Sequence, residues 1–353
     1  MDKKESFYWD VVKGTAIFLM LWGHCVQYCA LYDVYYPEDM VYKTIYSFHM
    51  PIFMLVSGYL FFYSFRKRSL ADLLEHRIRG MLHPIIMATF LNNILLQVPL
   101  YMLSGHVNVL FGGLFQGIAD SLWFLWAVLY CSVVVAVCCK ATEKTGLQIL
   151  LTVLGAFVIL LLPQWNMTLF MYPYFAAGFF CGKFRNSARK YYKVLRWAAL
   201  ILFPVMMAFY QTKHYIYVTP VYSEELGLAA SLEIALYRWA IGFVGSVFMM
   251  TVTEAMVRLG ERISIVGRWL RKVSGLGRNS LQVYCLSASL LSGYLPHLNH
   301  KLVEVMGDNV FEENRFVYDF LFTLVLAAAW SVLLYYLVVL MKKTRLHRIV
   351  FGR

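Results

Sequence analysis

The sequence is poor in charged residues. Asp, Glu, Lys and Arg make up 15% of its 353 residues, and 60% of the residues are hydrophobic, whereas soluble globular domains carry about 25% charged residues. Apolar stretches of roughly 16–26 residues recur along the whole chain, and a soluble core does not require runs of that length. The composition therefore excludes an ordinary soluble domain and predicts an all-α polytopic membrane bundle.

Signatures of several enzyme classes are also absent. The sequence has no glycine-rich nucleotide loop, no Gly-x-Ser-x-Gly elbow and no His-Glu-x-x-His metal helix. All seven cysteines fall inside predicted spans and lack the spacing of a metal site. We interpret them as small apolar residues and not as disulfide partners, and we expect no metal.

We predict about ten spans within a single domain that covers residues 1–353. They lie near 11–30, 44–64, 81–103, 120–139, 146–162, 167–184, 196–211, 232–257, 277–296 and 316–341. The first is too long for a signal-peptide core, and no small-residue cleavage site follows it. We therefore expect it to remain as a span.

Basic residues are unevenly distributed along the chain. The formal net charge is +12, and most of the Lys and Arg lie in alternate loops, whereas the intervening loops hold more acids than bases. Positive charge stays on the cytoplasmic side of a membrane. The pattern therefore predicts that both termini are cytoplasmic, and it explains the basic composition without a nucleic-acid partner.

The first span carries a polar stripe. Eleven helical steps of about 100° separate Lys13 from His24, which places both side chains on one face roughly 16 Å apart along the axis. Asp10 lies one turn before Lys13 and joins that face. A charge at the centre of a span costs about 2.5–3.5 kcal/mol to insert, so such residues usually mark a reaction or transport path. The stripe therefore indicates chemistry inside a membrane.

A second histidine begins the next span. His49 precedes Pro51, and a proline near a helix start is tolerated because its missing N–H would be unpaired there. If the first two spans form a hairpin, His24 and His49 lie at one depth, roughly 8–9 Å below the outer surface. Either histidine alone is also consistent with a packed, hydrogen-bonded residue. Two at one depth favour a shared polar site.

Four further residues are candidates for the functional site, and simpler structural explanations exist for some of them. Arg77 and Arg79 lie against the third span, where guanidinium groups suit phosphates, although cytosolic loops are basic in any case. Trp123 belongs to an interfacial aromatic belt or to the wall of a sugar or acyl pocket near the outer surface, and the residues alone favour the belt. Arg238 is about 140° from Glu233 around the helix, so we expect its partner on another span.

Short motifs follow one another along most of the chain. They are Asp10-x-x-Lys13-Gly14, Gly23-His24, Phe48-His49-Met50-Pro51 with Ser57-Gly58-Tyr59, Leu122-Trp123-Phe124-Leu125, Tyr174-Phe175-Ala176-Ala177-Gly178 and Gly277-Arg278-Asn279-Ser280 through Tyr284. With these motifs the chain resembles acyltransferase family 3 from about residue 7 to 341. The members of that family are integral-membrane O-acyltransferases of bacterial glycans, including fucose acetylase-like enzymes.

The resemblance implies ten spans in the bacterial inner membrane, an acyl-CoA (acetyl-CoA) co-substrate from the cytosol, and a hydroxyl acceptor on a surface or lipid-linked glycan. The family's basic residue and following histidine correspond to Lys13 and His24, and its Phe-His-x-Pro segment corresponds to His49. Two departures occur: the second arginine before the third-span proline is shifted, and Ser287 stands where a histidine often follows the ninth-span motif.

These correspondences give each candidate residue an expected role. We expect His24 to be the general base, which contributes about 10²–10⁴-fold to such reactions, with His49 orienting it, binding the sugar or stabilising the oxyanion. The residues expected to hold the charged end of CoA are Asp10, Lys13, Arg77 and Arg79. Those expected to contact the acceptor are Trp123, Arg238 and Tyr284.

Two other functions are consistent with the same sequence. A transporter of a glycan or a proton-coupled solute would show similar buried charges and similar topology. Transporters often carry broken spans at matching positions of two repeats, and the sequence shows no such pair. A membrane subunit that only scaffolds a partner is the third possibility, which buried Lys13 and Arg238 disfavour.

Overall fold

A computed structural model describes residues 2–29, 36–92, 94, 122–306 and 317–352. All regular structure in these ranges is helical, as the composition predicts. The α-helices are α1 (Lys3–Cys29), α2 (Met40–Lys67), α3 (Leu70–Asn92), α4 (Trp123–Lys140), α5 (Thr145–Ile159), α6 (Trp165–Lys183), α7 (Arg185–Ala208), α8 (Gly227–Arg262), α9 (Ser264–Arg278), α10 (Ser280–Met306), α11 (Thr323–Lys342) and α12 (Arg345–Phe351). Short 3-10 turns lie at Tyr36–Glu38 and Thr212–His214, and a π-helical segment, Val317–Phe322, leads into α11.

Five of the described helical segments are long and apolar enough to cross a membrane. They are α2, α4, α7, α8 and Phe320–Lys342, which contains α11. Helix α1 is outside this set because Lys13, His24 and Gln27 lower its mean hydropathy. The described residues thus support a helical membrane bundle, and the count of ten spans and the cytoplasmic termini remain predictions.

Several boundaries differ from those predicted. Helix α3 begins at Leu70, well before the expected span, and the end of that span and the start of the next fall outside the described residues. Residues 258–276, predicted as a loop, instead complete α8 and form α9. Helix α9 was missed because it is amphipathic: Leu270 and Ser274 are buried while Arg271 is exposed, and such a pattern has no continuous apolar run.

The chain divides into two compact units. The first comprises Met1–Tyr46, Pro84–Ser121 and Met256–Arg353, and the second comprises Ser47–His83 and Leu122–Ala255. Helices α1, α9, α10 and α11 belong to the first unit, and helices α4 to α7 belong to the second. Helices α2, α3 and α8 each contribute residues to both units.

In the first unit, α1 packs against α9, α10 and α11. The tightest approach is to α9, where glycines replace side chains. A Cβ placed on Gly277 would lie 1.8 Å from the Asp10 carbonyl oxygen, and one on Gly14 would lie 2.0 Å from the Val273 oxygen. Small residues allow this close backbone approach between membrane helices. The C-terminal end of α9 is thereby held against the Asp10–Lys13 turn of α1.

The second unit also contains a glycine-mediated crossing, between α2 and α6. A Cβ on Gly58 would lie 2.0 Å from the Phe175 carbonyl oxygen, and one on Gly178 would lie 2.0 Å from that of Leu55. Glycine at positions 58 and 178 thus allows the two backbones to touch. Buried aromatic rings fill the space beside the crossing, with Phe61 and Phe175 centred 5.5 Å apart. The crossing fixes the part of α2 that carries His49.

Candidate functional site

One end of the polar stripe is an ion pair on α1. Lys13 Nζ lies 3.0 Å from Asp10 Oδ1, and the two side chains are 21% and 14% exposed. The predicted shared face of Asp10 and Lys13 is therefore present. Because each member is largely shielded from solvent, the pair is better defined than a surface salt bridge, for which the usual contribution is about 0–1 kcal/mol.

Residues from α9, from the α9–α10 junction and from α11 extend this polar cluster. Arg278, the last residue of α9, brings Nη1 to 4.0 Å from Asp10 Oδ2. Lys342, near the end of α11, donates a hydrogen bond to the Asn279 side-chain oxygen. Only the packing of α9 and α11 on α1 brings them here.

The upper end of the stripe is His24, which is half-buried. Its Nδ1 lies 3.0 Å from Gln27 Oε1 and 3.3 Å from the Tyr46 hydroxyl. The imidazole stacks on Tyr28, with ring centroids 5.7 Å apart and planes 10° apart. All of these partners belong to the first unit, and together they fix the ring's position and plane.

These contacts also indicate which nitrogen is basic. In the tautomer that carries its proton on Nδ1, the ring donates a hydrogen bond to the Gln27 amide oxygen. Nε2 then carries the lone pair, and it has no protein partner among the residues that the structure describes. His24 therefore presents an unoccupied basic nitrogen. Gln27 could have been found from its i+3 spacing to His24, whereas Tyr46, which lies on the next helix, could not.

His49 lies in the second unit and is 1% exposed. Its environment is that of a buried side chain with partners, which is equally typical of a packed residue and of an ordered site residue. Its role beside His24 remains a prediction.

The two arginines predicted to hold phosphate occupy different environments. The Arg77 guanidinium carbon lies 4.5 Å from the Phe61 ring centroid, a cation–π contact in the second unit. Arg79 is 80% exposed and pairs with Glu75 at 2.8 Å, one helical turn away. The structure therefore does not bring these guanidinium groups together as one phosphate clamp.

Arg238, on α8, is 2% exposed. Its Nε donates to the His214 carbonyl and its Nη2 to the Thr219 carbonyl, each at 2.7 Å. Glu233 is exposed, as the 140° separation predicts. Arg238 also has the expected contact with another span, since its guanidinium carbon lies 5.5 Å from the Phe170 ring centroid on α6. Its hydrogen bonds, however, go to backbone carbonyls of the segment 209–226 between α7 and α8. It holds that segment against α8.

The segment held by Arg238 also meets Trp123. The Trp123 ring packs edge-on against Tyr217, with centroids 6.3 Å apart. Within the segment, His214 Nδ1 accepts the Gln211 backbone N–H at 2.9 Å. Burial, followed by the charges of Lys213 and Arg238, lowers the pKa of His214 to about 4. His214 is therefore neutral at physiological pH, and Arg238 alone carries charge at the buried centre of this cluster.

Replacing Arg238 should detach the segment 209–226. In Arg238→Leu, the His214 and Thr219 carbonyls lose their donors, and each buried unpaired group costs about 1–3 kcal/mol. We expect a lower thermal midpoint in detergent and faster proteolysis within 209–226. The matched control is Lys213→Gln, which removes an exposed charge in the same segment. A wild-type midpoint and proteolysis rate for Arg238→Leu would contradict this role.

Tyr284 lies one turn inside α10 in the first unit and is half-buried. Its carbonyl accepts the Ser287 hydroxyl at 2.8 Å. The residue thus lies on a helix that packs on α1, and its contact with an acceptor remains a prediction.

Comparison with known proteins places the chain among acyltransferases. Acyltransferase family 3, described as an acyltransferase domain, matches residues 6–339. A nodulation protein NolL from Mesorhizobium japonicum is 26% identical over 176 residues, which are 48% of this chain and 46% of the relative. A nodulation protein NolL from Sinorhizobium fredii is 30% identical over 182 residues, 48% of this chain and 47% of the relative. The chain spans about half the length of these curated relatives, and no solved structure matches it.

Proposed function

The chain belongs to acyltransferase family 3, and on that premise we propose that it is an O-acetyltransferase of the bacterial inner membrane. It transfers the acetyl group of cytosolic acetyl-CoA to a hydroxyl of a surface or lipid-linked glycan. The observation that carries the proposal is His24, whose Nδ1 is engaged by Gln27 while Nε2 has no partner among the described residues. Family membership favours this enzyme over a transporter with the same buried charges.

The chemistry requires a base for the acceptor hydroxyl. As the alcohol oxygen attacks the thioester carbonyl, His24 Nε2 takes the hydroxyl proton and Nδ1–H keeps its bond to Gln27. The tetrahedral intermediate then breaks its C–S bond, and the imidazolium returns the proton to the departing CoA sulfur. The products are the acetyl ester and CoA thiol, and His24 regains its starting state. A positioned base of this kind contributes about 10²–10⁴-fold to the rate.

The stripe on α1 gives the two substrates separate ends. Lys13 lies roughly 16 Å below His24 at 1.5 Å per residue, on the side predicted to face the cytosol. The nucleotide of acetyl-CoA binds at the charged end, and its pantetheine arm extends along α1 toward the imidazole. Asp10 holds the Lys13 ammonium in place through the 3.0 Å contact.

Comparing glycans from cells with and without the gene tests the function. We expect the glycan of expressing cells to gain acetyl groups by mass spectrometry and to lose them on mild alkaline treatment, which cleaves esters and spares amides. Purified protein should also release CoA from acetyl-CoA when acceptor is present. Identical glycan masses in the two strains, together with no CoA release, would contradict the proposal. Transport of the glycan without acetylation would support a transporter instead.

A further inference from the structure

We propose that Arg278 and Lys342, together with Lys13, form a phosphate-binding site in the first unit that holds the 3′-phosphorylated nucleotide end of coenzyme A. The inference rests on the proposed function, because it names the part of the donor that this site takes. It also assigns the contact with the acyl donor to residues at the junction of α9 and α10, in place of Arg77 and Arg79.

The position of Arg278 follows from the helix crossing beside it. Gly277 allows the backbone of α9 to touch Asp10, since its Cβ would fall 1.8 Å from the Asp10 carbonyl oxygen. The next side chain in sequence is therefore directed to the Asp10 carboxylate, which Arg278 Nη1 approaches to 4.0 Å. Lys13 contacts the other carboxylate oxygen at 3.0 Å. One carboxylate thus lies between two cations.

The third cation is positioned by Asn279. This residue joins α9 to α10 and is 6% exposed. Its Nδ2 donates to the Gly275 carbonyl at 2.8 Å, and its oxygen accepts a hydrogen bond from Lys342 Nζ. A buried amide with both ends engaged holds the Lys342 ammonium beside the α9–α10 junction, although the Lys342 side chain itself is exposed.

The charges at this junction do not balance. Lys13, Arg278 and Lys342 carry three positive charges, and Asp10 supplies one negative charge, which leaves a net charge of +2 for these four side chains. A purely structural ion pair needs one acid for each base. The excess of cations indicates an anion with more than one negative charge, such as a phosphate monoester.

Arg278 has the geometry to meet that anion. Its side chain is 60% exposed, and Nη1 donates to Ser274 Oγ at 3.1 Å. The remaining guanidinium N–H groups have no partner among the residues that the structure describes. A planar guanidinium with a free edge binds phosphate through two parallel hydrogen bonds, which an ammonium group does not reproduce.

The position along α1 favours coenzyme A over a lipid headgroup as the source of the phosphate. The site surrounds the lower end of the stripe that leads from Lys13 to His24. Coenzyme A differs from its dephospho form only by the 3′-phosphate monoester, so this pair of ligands isolates the contact. A lipid phosphate would instead make binding depend on anionic lipid and not on the nucleotide.

Calorimetry on purified full-length protein in discs of zwitterionic lipid tests the site. We expect the wild-type protein to bind coenzyme A at least about tenfold more tightly than dephospho-coenzyme A, since hydrogen bonds to charged groups contribute about 1.5–3 kcal/mol. Arg278→Gln and Lys342→Gln should each weaken coenzyme A binding and reduce the difference between the ligands. Arg278→Lys should recover only part of it, because the charge is kept and the planar edge is lost.

Two neighbouring residues provide matched controls. Arg271→Gln removes an exposed guanidinium two turns earlier on α9, and Lys343→Gln removes the exposed ammonium that follows Lys342. Both should bind the two ligands as the wild-type protein does. Equal loss of affinity in these controls would indicate a general charge effect and would overturn the site.

A second test uses only the wild-type protein, so its result does not depend on whether the variants fold. Adenosine 3′,5′-bisphosphate should protect Lys342 from an amine-reactive label, whereas Lys343 should react at an unchanged rate. Absence of protection at Lys342, or equal affinities for coenzyme A and its dephospho form, would overturn the proposal. The proposal would also be overturned if anionic-lipid vesicles displaced bound coenzyme A and adenosine 3′,5′-bisphosphate did not.

The experiments distinguish a wrong phosphate site from a wrong proposed function. The binding and labelling measurements need no acyl transfer, so intact 3′-phosphate recognition without glycan acetylation would refute the function and keep the site. Acetylation that persists while Arg278→Gln binds both ligands normally would refute the site and keep the function.

Discussion

His24→Gln should lower the rate of acetyl transfer by about 10²–10⁴-fold, the usual contribution of a positioned general base. The substitution retains a polar side chain of similar reach, so the contacts around Gln27 and Tyr46 are the least disturbed by it. An amide cannot take the hydroxyl proton at neutral pH. The measurement is the rate of ester formation on the glycan, normalised to the amount of folded protein in the membrane.

The control for this substitution is His347→Gln, which changes a histidine of α12 at the end of the chain. It should transfer acetyl groups at the wild-type rate. Full activity of His24→Gln in membranes that contain normal amounts of the protein would remove His24 from the mechanism. A similar loss in His347→Gln would show that the effect is not specific to the α1 imidazole.

Gly277→Ala should prevent the first unit from folding correctly. The added Cβ would fall 1.8 Å from the Asp10 carbonyl oxygen and 2.6 Å from the Gly14 backbone nitrogen. Because the obstructing atoms are backbone, no side-chain rotation relieves the contact, and α9 must move away from α1. Overpacking typically costs about 1–3 kcal/mol and occasionally more, and a backbone-to-backbone clash belongs at the upper end of that range.

The matched control is Gly146→Ala in α5, where a Cβ would meet no heavy atom within 4 Å. Alanine is favoured over glycine within a helix by about 0.5–1 kcal/mol, so this variant should be as stable as the wild-type protein or slightly more stable. Thermal unfolding in detergent and the yield of monodisperse protein report the difference. A Gly277→Ala protein that unfolds at the wild-type midpoint would contradict the close crossing of α1 and α9.

Features governed by local spacing were predictable from the sequence. The helical class and the family followed from hydropathy and ordered motifs, and the family match over residues 6–339 confirms the resemblance. Asp10 and Lys13 share a face because three helical steps bring them together, and the 3.0 Å contact follows from that spacing.

Features governed by contacts between distant segments were not predictable. Arg278 reaches the Asp10–Lys13 turn, and Lys342 reaches Asn279, only because α9 and α11 pack on α1. Hydropathy missed α9, since its apolar residues are spaced around one face. A further example is Arg238, whose hydrogen bonds go to backbone carbonyls of a loop. Carbonyl acceptors have no sequence signature because every residue carries one.

The most direct test of the central claim uses inverted membrane vesicles, whose cytosolic face is outside. Radiolabelled acetyl-CoA added to the vesicles should transfer its label to the glycan acceptor within them when the protein is wild type, and not when it carries His24→Gln. Label incorporated equally by the two proteins, or none incorporated by the wild-type protein with acceptor present, would contradict acyl transfer by the His24 imidazole.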